Sequence, residues 1–358
     1  MFSYLQLRYQ TLLALACAFV ISYLMTPQVK RFAEKVGAID VPKDERRIHN
    51  HPIPRMGGLA IFLGFVLATL VFVDMSTPVM GLLVGAVIIA VMGAVDDIVA
   101  LNAWVKLAFQ ILAAFVAVRC GIVIDAVSNP NFISEVNTIH VGYLAVPLTV
   151  LWIVGCTNAV NLIDGLDGLA VGVSAISSLT MMTVAVFVAG PDVVLILAAL
   201  SGACLGFMPY NMNPAKIFMG DVGSQLLGFV LATASIMGLF KMHALITFFV
   251  PIMAMAVPLA DTVFAFVRRI LKGQSPFHAD KGHFHHRLLA LGLNQKQVAA
   301  VLYAISAILG LFAVLLAGRI LWFRGICIAL AFLIALAVWF FIFRKNPNIH
   351  HNDKKTEE

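Results

Sequence analysis

Charge is scarce in this chain. Only 12% of its 358 residues are Asp, Glu, Lys or Arg, whereas 61% are hydrophobic; soluble domains carry roughly 25% charged and 45–50% apolar residues. With a mean hydropathy of +0.97, this excludes a water-soluble globule, which would lack the polar side chains to cover its surface. Paired cysteines are missing too. Cys17, Cys120, Cys156, Cys204 and Cys327 are scattered without CxxC spacing, so neither a disulfide framework nor a cysteine zinc site is supported, and small buried hydrophobes are the simpler reading. No repeat period, low-complexity segment or stretch long enough for a soluble domain occurs. A net charge of +6 and a pI near 9.1 therefore do not imply a nucleic-acid partner. The chain reads as one membrane domain, residues 1–345, followed by a polar tail at 346–358. The first apolar run, 11–25, meets Pro27, Lys30 and Arg31 without a small-residue cleavage site, as in a retained helix rather than a signal peptide.

What is abundant is apolar sequence in bilayer-length pieces. About eleven runs approach the roughly 17–25 residues a spanning helix needs. They lie near 9–26, 56–73, 79–95, 104–119, 142–159, 170–189, 193–210, 225–240, 244–267, 298–317 and 321–343. The expected fold is an all-α polytopic integral membrane protein. Basic residues orient it: with the N-terminus outside, 19 of the 24 Lys and Arg fall on the cytoplasmic side and 5 opposite, as the positive-inside rule requires. The C-terminus is then cytoplasmic, and the longest outside connection, 121–140, holds no Lys or Arg. In the ninth run, Pro251 and Pro258 each remove a backbone donor, so that helix should bend or break.

Under this topology every unusual polar motif falls on the cytoplasmic face. Gly93-Ala94-Val95-Asp96-Asp97 ends the third run, and adjacent carboxylates at a membrane boundary need a cation or a shared proton unless they are a solvated helix end. Asn158-Ala159-Val160-Asn161-Leu162-Ile163-Asp164-Gly165-Leu166-Asp167-Gly168 joins the fifth and sixth runs. Its glycines allow tight turning and close approach, and its carboxylates can accept from a sugar or bind metal. Asn211-Met212-Asn213-Pro214-Ala215-Lys216-Ile217-Phe218-Met219-Gly220-Asp221-Val222-Gly223-Ser224 precedes the eighth run. There Asp221 can hold a hard cation with waters, or cap the helix. His283-Phe284-His285-His286-Arg287 follows the ninth run. Its histidines are a partial zinc set, but hard carboxylates elsewhere and neighbouring Lys281 and Arg287 favour phosphate. With Lys106, these are parts for moving a phosphoryl-linked group beside a lipid boundary.

From Pro54-Arg55-Met56-Gly57-Gly58 through the histidine loop, these motifs resemble the polyprenyl-phosphate N-acetylhexosamine-1-phosphate transferase family. The resemblance implies transfer of a sugar-1-phosphate from a UDP-sugar to a membrane polyprenyl phosphate, with release of UMP. It makes Asp221 the magnesium-binding aspartate, with Mn²⁺ as a substitute for Mg²⁺, and Asp96 and Asp97 the acidic pair that engages or deprotonates the lipid phosphate. Asn161, Asp164 and Asp167 match the nucleotide-sugar loop and Asn211 its polar neighbour. Lys106, in Lys106-Leu107-Ala108-Phe109-Gln110, matches a phosphate-contacting lysine; His283, His285, His286 and Arg287 match the histidine motif. The muramyl-pentapeptide branch carries three consecutive histidines and then an acidic residue, whereas here Phe284 interrupts the histidines and Arg287 follows; Leu101 also replaces that branch's lysine. Both departures imply UDP-N-acetylglucosamine and undecaprenyl phosphate as substrates, the first membrane step of a glycan such as wall teichoic acid or O-antigen, tunicamycin sensitivity, and a cell-membrane enzyme facing the cytoplasm; a homodimer is compatible with all of this. The alternatives are phospho-N-acetylmuramoyl-pentapeptide transfer and an ion-coupled secondary transporter, which would place its carboxylates near the midplane and show two related halves.

Overall fold

The computed structural model describes residues 2–41, 52–128, 138–238, 245–271, 283–317 and 325–336. In lipid each backbone N–H and C=O must find its partner within the segment, which dictates helix. The helices are α1 (Phe2–Val36), α2 (Gly58–Phe72), α3 (Thr77–Val99), α4 (Ala103–Arg119), α5 (Ala145–Leu162), α6 (Leu169–Val188), α7 (Pro191–Asn211), α8 (Gly220–Gly238), α9 (Leu245–Ala254), α10 (Ala256–Leu271), α11 (Phe284–Ala290) and α12 (Gln295–Ala317), then α13 (Gly325–Leu336). Two antiparallel ribbons, β1 (Ile39–Asp40) with β2 (Ile53–Pro54) and β3 (Ala126–Ser128) with β4 (Thr138–His140), qualify the all-α expectation. They lie in connections between helices, where pairing two extended stretches satisfies the backbone without a helical turn.

Among the described residues seven helices are long and apolar enough to cross a membrane: α1, α3, α5 with the turn before it, α6, α7, α8 and α12. Helices α2 and α13 are apolar but shorter, and α4 has 17 residues. The ninth apolar run is two helices, α9 and α10, either side of Met255. Pro251 lies inside α9, whereas Pro258 lies in the first turn of α10, where its missing N–H has no intrahelical partner to lose. The tail at 346–358 lies outside the described residues.

Helix α1 runs on through Pro27 for 35 residues, about 52 Å at 1.5 Å per residue against a hydrocarbon core of about 30 Å. Pro27 leaves the Tyr23 carbonyl, four residues back, without its helical donor, yet the helix continues on both sides; beside it Thr26 Oγ1 donates to Ser22 O at 2.7 Å.

Helices α7 and α8 form the interior, with long buried stretches from Val193 to Cys204 and from Val222 to Ile236. Small residues let backbones meet, as expected where burial in lipid provides no hydrophobic drive between helices. A Cβ on Gly93 of α3 would lie 2.5 Å from Val222 Cα of α8, so these helices touch directly. That contact brings the end of α3 against the start of α8.

Candidate active site

The turn between α3 and α4 is built around Asp96. Asp96 Oδ1 accepts from Leu101 N at 2.6 Å, and Ala100, at φ +52°, closes the helix by donating to Asp96 O. Asn102 Oδ1 accepts from Trp104 N at 3.0 Å and starts α4, as an N-cap should. One turn on, Lys106 Nζ lies 3.1 Å from Asp96 Oδ2 and 2.9 Å from Asp221 Oδ2. A single ammonium thus joins two carboxylates from α3 and α8.

Asp97 is buried at 3% exposure and serves the start of α8. Its Oδ1 accepts from Asp221 N at 3.1 Å and its Oδ2 from Val222 N at 3.4 Å. The free N–H groups and positive dipole end of α8 favour a carboxylate there. This corrects the reading of Asp221 as the cap of that helix: Asp97, from another helix, makes those bonds. Gly220, at φ +71°, makes room, since a Cβ there would clash with Asp97 Oδ2. Arg55 Nε lies 3.6 Å from Asp97 Oδ1 and donates to Asp97 O at 3.2 Å. The rest of the Pro54–Gly58 motif pairs with the chain entering α8: Phe218 N donates to Pro54 O, Gly57 N to Phe218 O and Gly58 N to Met219 O, all at 2.8–2.9 Å. Met56 holds φ +99° within that pairing, a conformation rare outside glycine and sustained by its surroundings.

The connection between α5 and α6 closes over this group. Asn161 Oδ1 accepts from Ser224 Oγ at 2.6 Å. Asp167 Oδ2 accepts from Asn213 Nδ2 at 2.9 Å and Ala215 N at 3.0 Å. Asn211, 3% exposed, accepts from Gly168 N and donates to Ile217 O. Asp167 and Asn211 are therefore occupied in bracing the turn. Asp164 differs: its half-buried carboxylate has no hydrogen-bond partner among the described residues, and burial raises its pKa to about 8, with the charges of Asp221, Asp97 and Asp167 acting in the same direction.

The histidine segment docks on that turn. Phe284 N donates to Asp261 Oδ1 at 2.8 Å, and His283 Nδ1 lies 2.9 Å from Asp261 Oδ2, so the carboxylate fixes Nδ1 as the donor. His285 stacks on His283 with centroids 5.8 Å apart, and His286 is 4.3 Å from His285. A Cβ on Gly165 would lie 2.5 Å from His285 Nε2, so that ring is seated on the Asp164 turn. Burial lowers the His285 pKa to about 4; His286 and His283 add to that and Asp261 opposes it. Arg287 is exposed and lines an apolar groove of about 360 Å³ with Phe264, Val267, Arg268, Leu271 and Phe284 instead of joining the carboxylates.

Asp96, Asp97, Lys106, Asn161, Asp164 and Asp221 thus gather at one place, with Asp167, Asn211, His283 and His285 around it. Sequence reasoning missed Asp261, although a lone carboxylate in an apolar helix is a signal by itself. It also missed Gln225, one turn after Asp221 on the same helical face. Among the described residues no three His, Cys, Asp or Glu side chains converge as a ready metal cage. The donor set still fits a hard cation: among the described residues Asp96 and Asp221 share one ammonium, Lys106, and Asp97 pairs with Arg55, and Mg²⁺ is commonly held by one or two carboxylates with water and phosphate oxygens.

The architecture is a helical membrane bundle with its aspartates clustered at helix ends, and the comparisons with known proteins give its class. The glycosyl transferase family 4 profile matches residues 79–239. The chain is 43% identical over 321 residues to a probable undecaprenyl-phosphate N-acetylglucosaminyl 1-phosphate transferase of Bacillus subtilis, covering 87% of this chain and 88% of that one. It is 38% identical to the decaprenyl-phosphate N-acetylglucosaminephosphotransferase of Mycobacterium tuberculosis, over 83% and 80% of the two chains. It is 33% identical to a phospho-N-acetylmuramoyl-pentapeptide-transferase of Staphylococcus aureus, over 84% and 96%. The chain belongs to glycosyl transferase family 4, and it is a multi-pass membrane protein.

Proposed function

We propose that this protein transfers N-acetylglucosamine-1-phosphate from UDP-N-acetylglucosamine to undecaprenyl phosphate, giving undecaprenyl-diphospho-N-acetylglucosamine and UMP. The observation that carries the reading is the Lys106 ammonium shared by Asp96 and Asp221, beside the Asp97-capped start of α8. Greater identity to the N-acetylglucosamine transferases than to the muramoyl-pentapeptide enzyme supports the simple sugar as donor. All eleven apolar runs cross a cell membrane in this reading, the N-terminus lies outside and the site faces the cytoplasm, in agreement with the basic-residue asymmetry.

A lipid phosphate oxygen attacks the β-phosphorus of the UDP-sugar; the bond to the UMP oxygen breaks and UMP leaves with its electron pair. The second ionisation of a phosphate monoester lies near pH 6, so the nucleophile is already charged at neutral pH. Both Asp97 oxygens accept backbone N–H bonds, which favours direct attack over an aspartyl intermediate. Lys106 offers its ammonium to transferring oxygens, and the Asp164 turn with His285 seated on it bounds the space for the donor. Asp221 would hold Mg²⁺, with Asp164 within electrostatic reach; the bound ion would offset negative charge on the diphosphate.

The test is UMP release by purified protein in detergent with undecaprenyl phosphate and UDP-N-acetylglucosamine, with and without Mg²⁺, and in parallel with UDP-muramyl-pentapeptide. Magnesium-dependent release from the simple sugar alone is expected. Release from the pentapeptide donor alone would overturn the branch, and an Asp221→Asn variant retaining near-native turnover would overturn that residue's role; a loss of at least about 100-fold is expected, the scale for removing a centre of transition-state charge stabilisation.

A further inference from the structure

Behind Asp221 three amides, Gln110 and Gln225 buried and Asn158 half-buried, form a connected chain. Asn158 Nδ2 donates to Val154 O at 2.9 Å and to Gln110 Oε1 at 2.7 Å. Gln110 Nε2 donates to Gln225 Oε1 at 2.8 Å, and back to Asn158 Oδ1 at 3.2 Å. Gln225 Nε2 then donates to Asp221 Oδ2 at 2.9 Å. The direction follows from the ends. Val154 O can only accept, which turns Asn158 Nδ2 toward it; that N–H₂ selects Gln110 Oε1, which in turn selects the orientation of Gln225. Reversing any amide would set oxygen against oxygen in a low-dielectric interior, where an unsatisfied polar group is costly.

Gln225 is 0% and Gln110 2% exposed, on α8 and α4, where the other buried side chains are mostly apolar or small and a buried amide is costly unless it is hydrogen-bonded. We propose that Gln225, backed by Gln110 and Asn158, is a positioning residue that fixes the Asp221 carboxylate for its divalent cation; this rests on Asp221 being the metal-bearing aspartate. The Gln225 amide and the Lys106 ammonium both bind Oδ2. They approach from two helices and so fix the rotation of the carboxylate plane, as partners behind metal ligands generally do.

The experiment measures UMP release against free Mg²⁺ concentration and, without substrates, Mn²⁺ affinity by electron paramagnetic resonance, for wild type, Gln225→Met, Gln110→Met and the double variant. Gln225→Met should raise the Mg²⁺ midpoint and weaken Mn²⁺ by about 10-fold or more, within the 10–100-fold scale for such supporting partners, with much of the turnover regained at saturating Mg²⁺. Gln110→Met should shift both in the same direction by less, and the double variant should be no worse than Gln225→Met, because the residues act in one chain. A purely structural chain would lower the melting temperature and leave both cation readouts unmoved, overturning the proposal. Should Gln225→Met fail to give a single size-exclusion peak, unchanged cation readouts in Gln110→Met overturn it equally. A wild type active without any divalent ion would sink the metal reading and the positioning role together, whereas a metal-dependent wild type with unmoved variants would sink the positioning role alone.

Discussion

At the residue scale, Asp97 separates two roles that a pair of adjacent aspartates merges. Asp96 and Asp97 are neighbours in the chain, yet Asp96 faces Lys106 and its own turn, while Asp97 reaches across to the backbone of α8. Asp97 uses both oxygens, on Asp221 N and Val222 N, and an amide would keep one acceptor and turn its N–H₂ against the other N–H. Asp97→Asn should therefore lose about 1 kcal/mol, the scale of a lost acceptor at a helix start, and Asp97→Ala at least as much, both read by thermal melting in detergent. A fall in UMP release by the Asn variant beyond its unfolded fraction then reports on charge. Two groups give opposing pH dependences. Asp164, whose folded pKa is raised to about 8, binds a proton in the folded chain that the unfolded chain lacks, so its contribution to stability grows as pH falls from about 8 toward 4. His285 opposes it. The folded pKa of His285, about 4, lies below the ordinary 6.5, so between those values the unfolded chain binds a proton that the folded chain does not, and its contribution to stability falls as pH drops through that window. At 1.36 kcal/mol per unit the full effect is on the order of 3 kcal/mol. His285→Gln should remove the His285 destabilisation between about pH 6.5 and 4, so that the variant's melting temperature rises relative to wild type as pH drops through that window while the difference stays constant above it.

At the scale of elements, the site is an assembly of ends: the C-terminus of α3, the N-termini of α4, α8 and α11, and the turn joining α5 to α6. Helix ends hold the backbone groups left without intrahelical partners, so polar side chains gather there rather than mid-helix. Direct contact between α3 and α8 at Gly93 sets the distance between the Asp96–Asp97 pair and Asp221. Gly93→Ala would place a methyl against the Val222 backbone. It should lower stability by about 1–3 kcal/mol, the range for overpacking, and reduce UMP release beyond the fraction lost to unfolding, because the carboxylates move apart. Comparing the activity of the monodisperse fraction with wild type checks this.

At the scale of the molecule, orientation follows from charge. A cysteine placed at Asp125, in the connection after α4, should react with an impermeant maleimide on intact cells, and one at Lys296, at the start of α12, only after permeabilisation. The reverse pattern would invert the proposed topology and put the aspartates on the outer face, away from a cytoplasmic nucleotide sugar. Much of this was legible in the chain, because hydropathy acts over whole segments. Apolar runs of bilayer length allow nothing but helix, and most of the runs coincide with one. The clustered aspartates were visible because a carboxylate near lipid is expensive and stands out against Leu, Ile and Val. The first apolar run, 9–26, stops short of Pro27, whereas α1 continues through it to Val36, since hydropathy marks the apolar length and not the end of the helix.

The sequence by itself determined that this is a helical membrane protein and which polar residues stand out against its apolar segments, since both depend on local composition: long apolar segments must hydrogen-bond internally, and polar residues among them need a reason to be there. Folding in three dimensions settled the partners. That Asp97 serves α8 rather than its own helix, that Lys106 joins Asp96 to Asp221, that Asp261 holds the histidines on Gly165, and that Gln110 lies behind Gln225 rest, apart from the local Lys106–Asp96 link, on contacts between residues 22 to 125 positions apart. Hydropathy periodicity carries no information at that range, because such contacts depend on which helix packs against which, and small residues such as Gly93 decide that through how closely two backbones can approach.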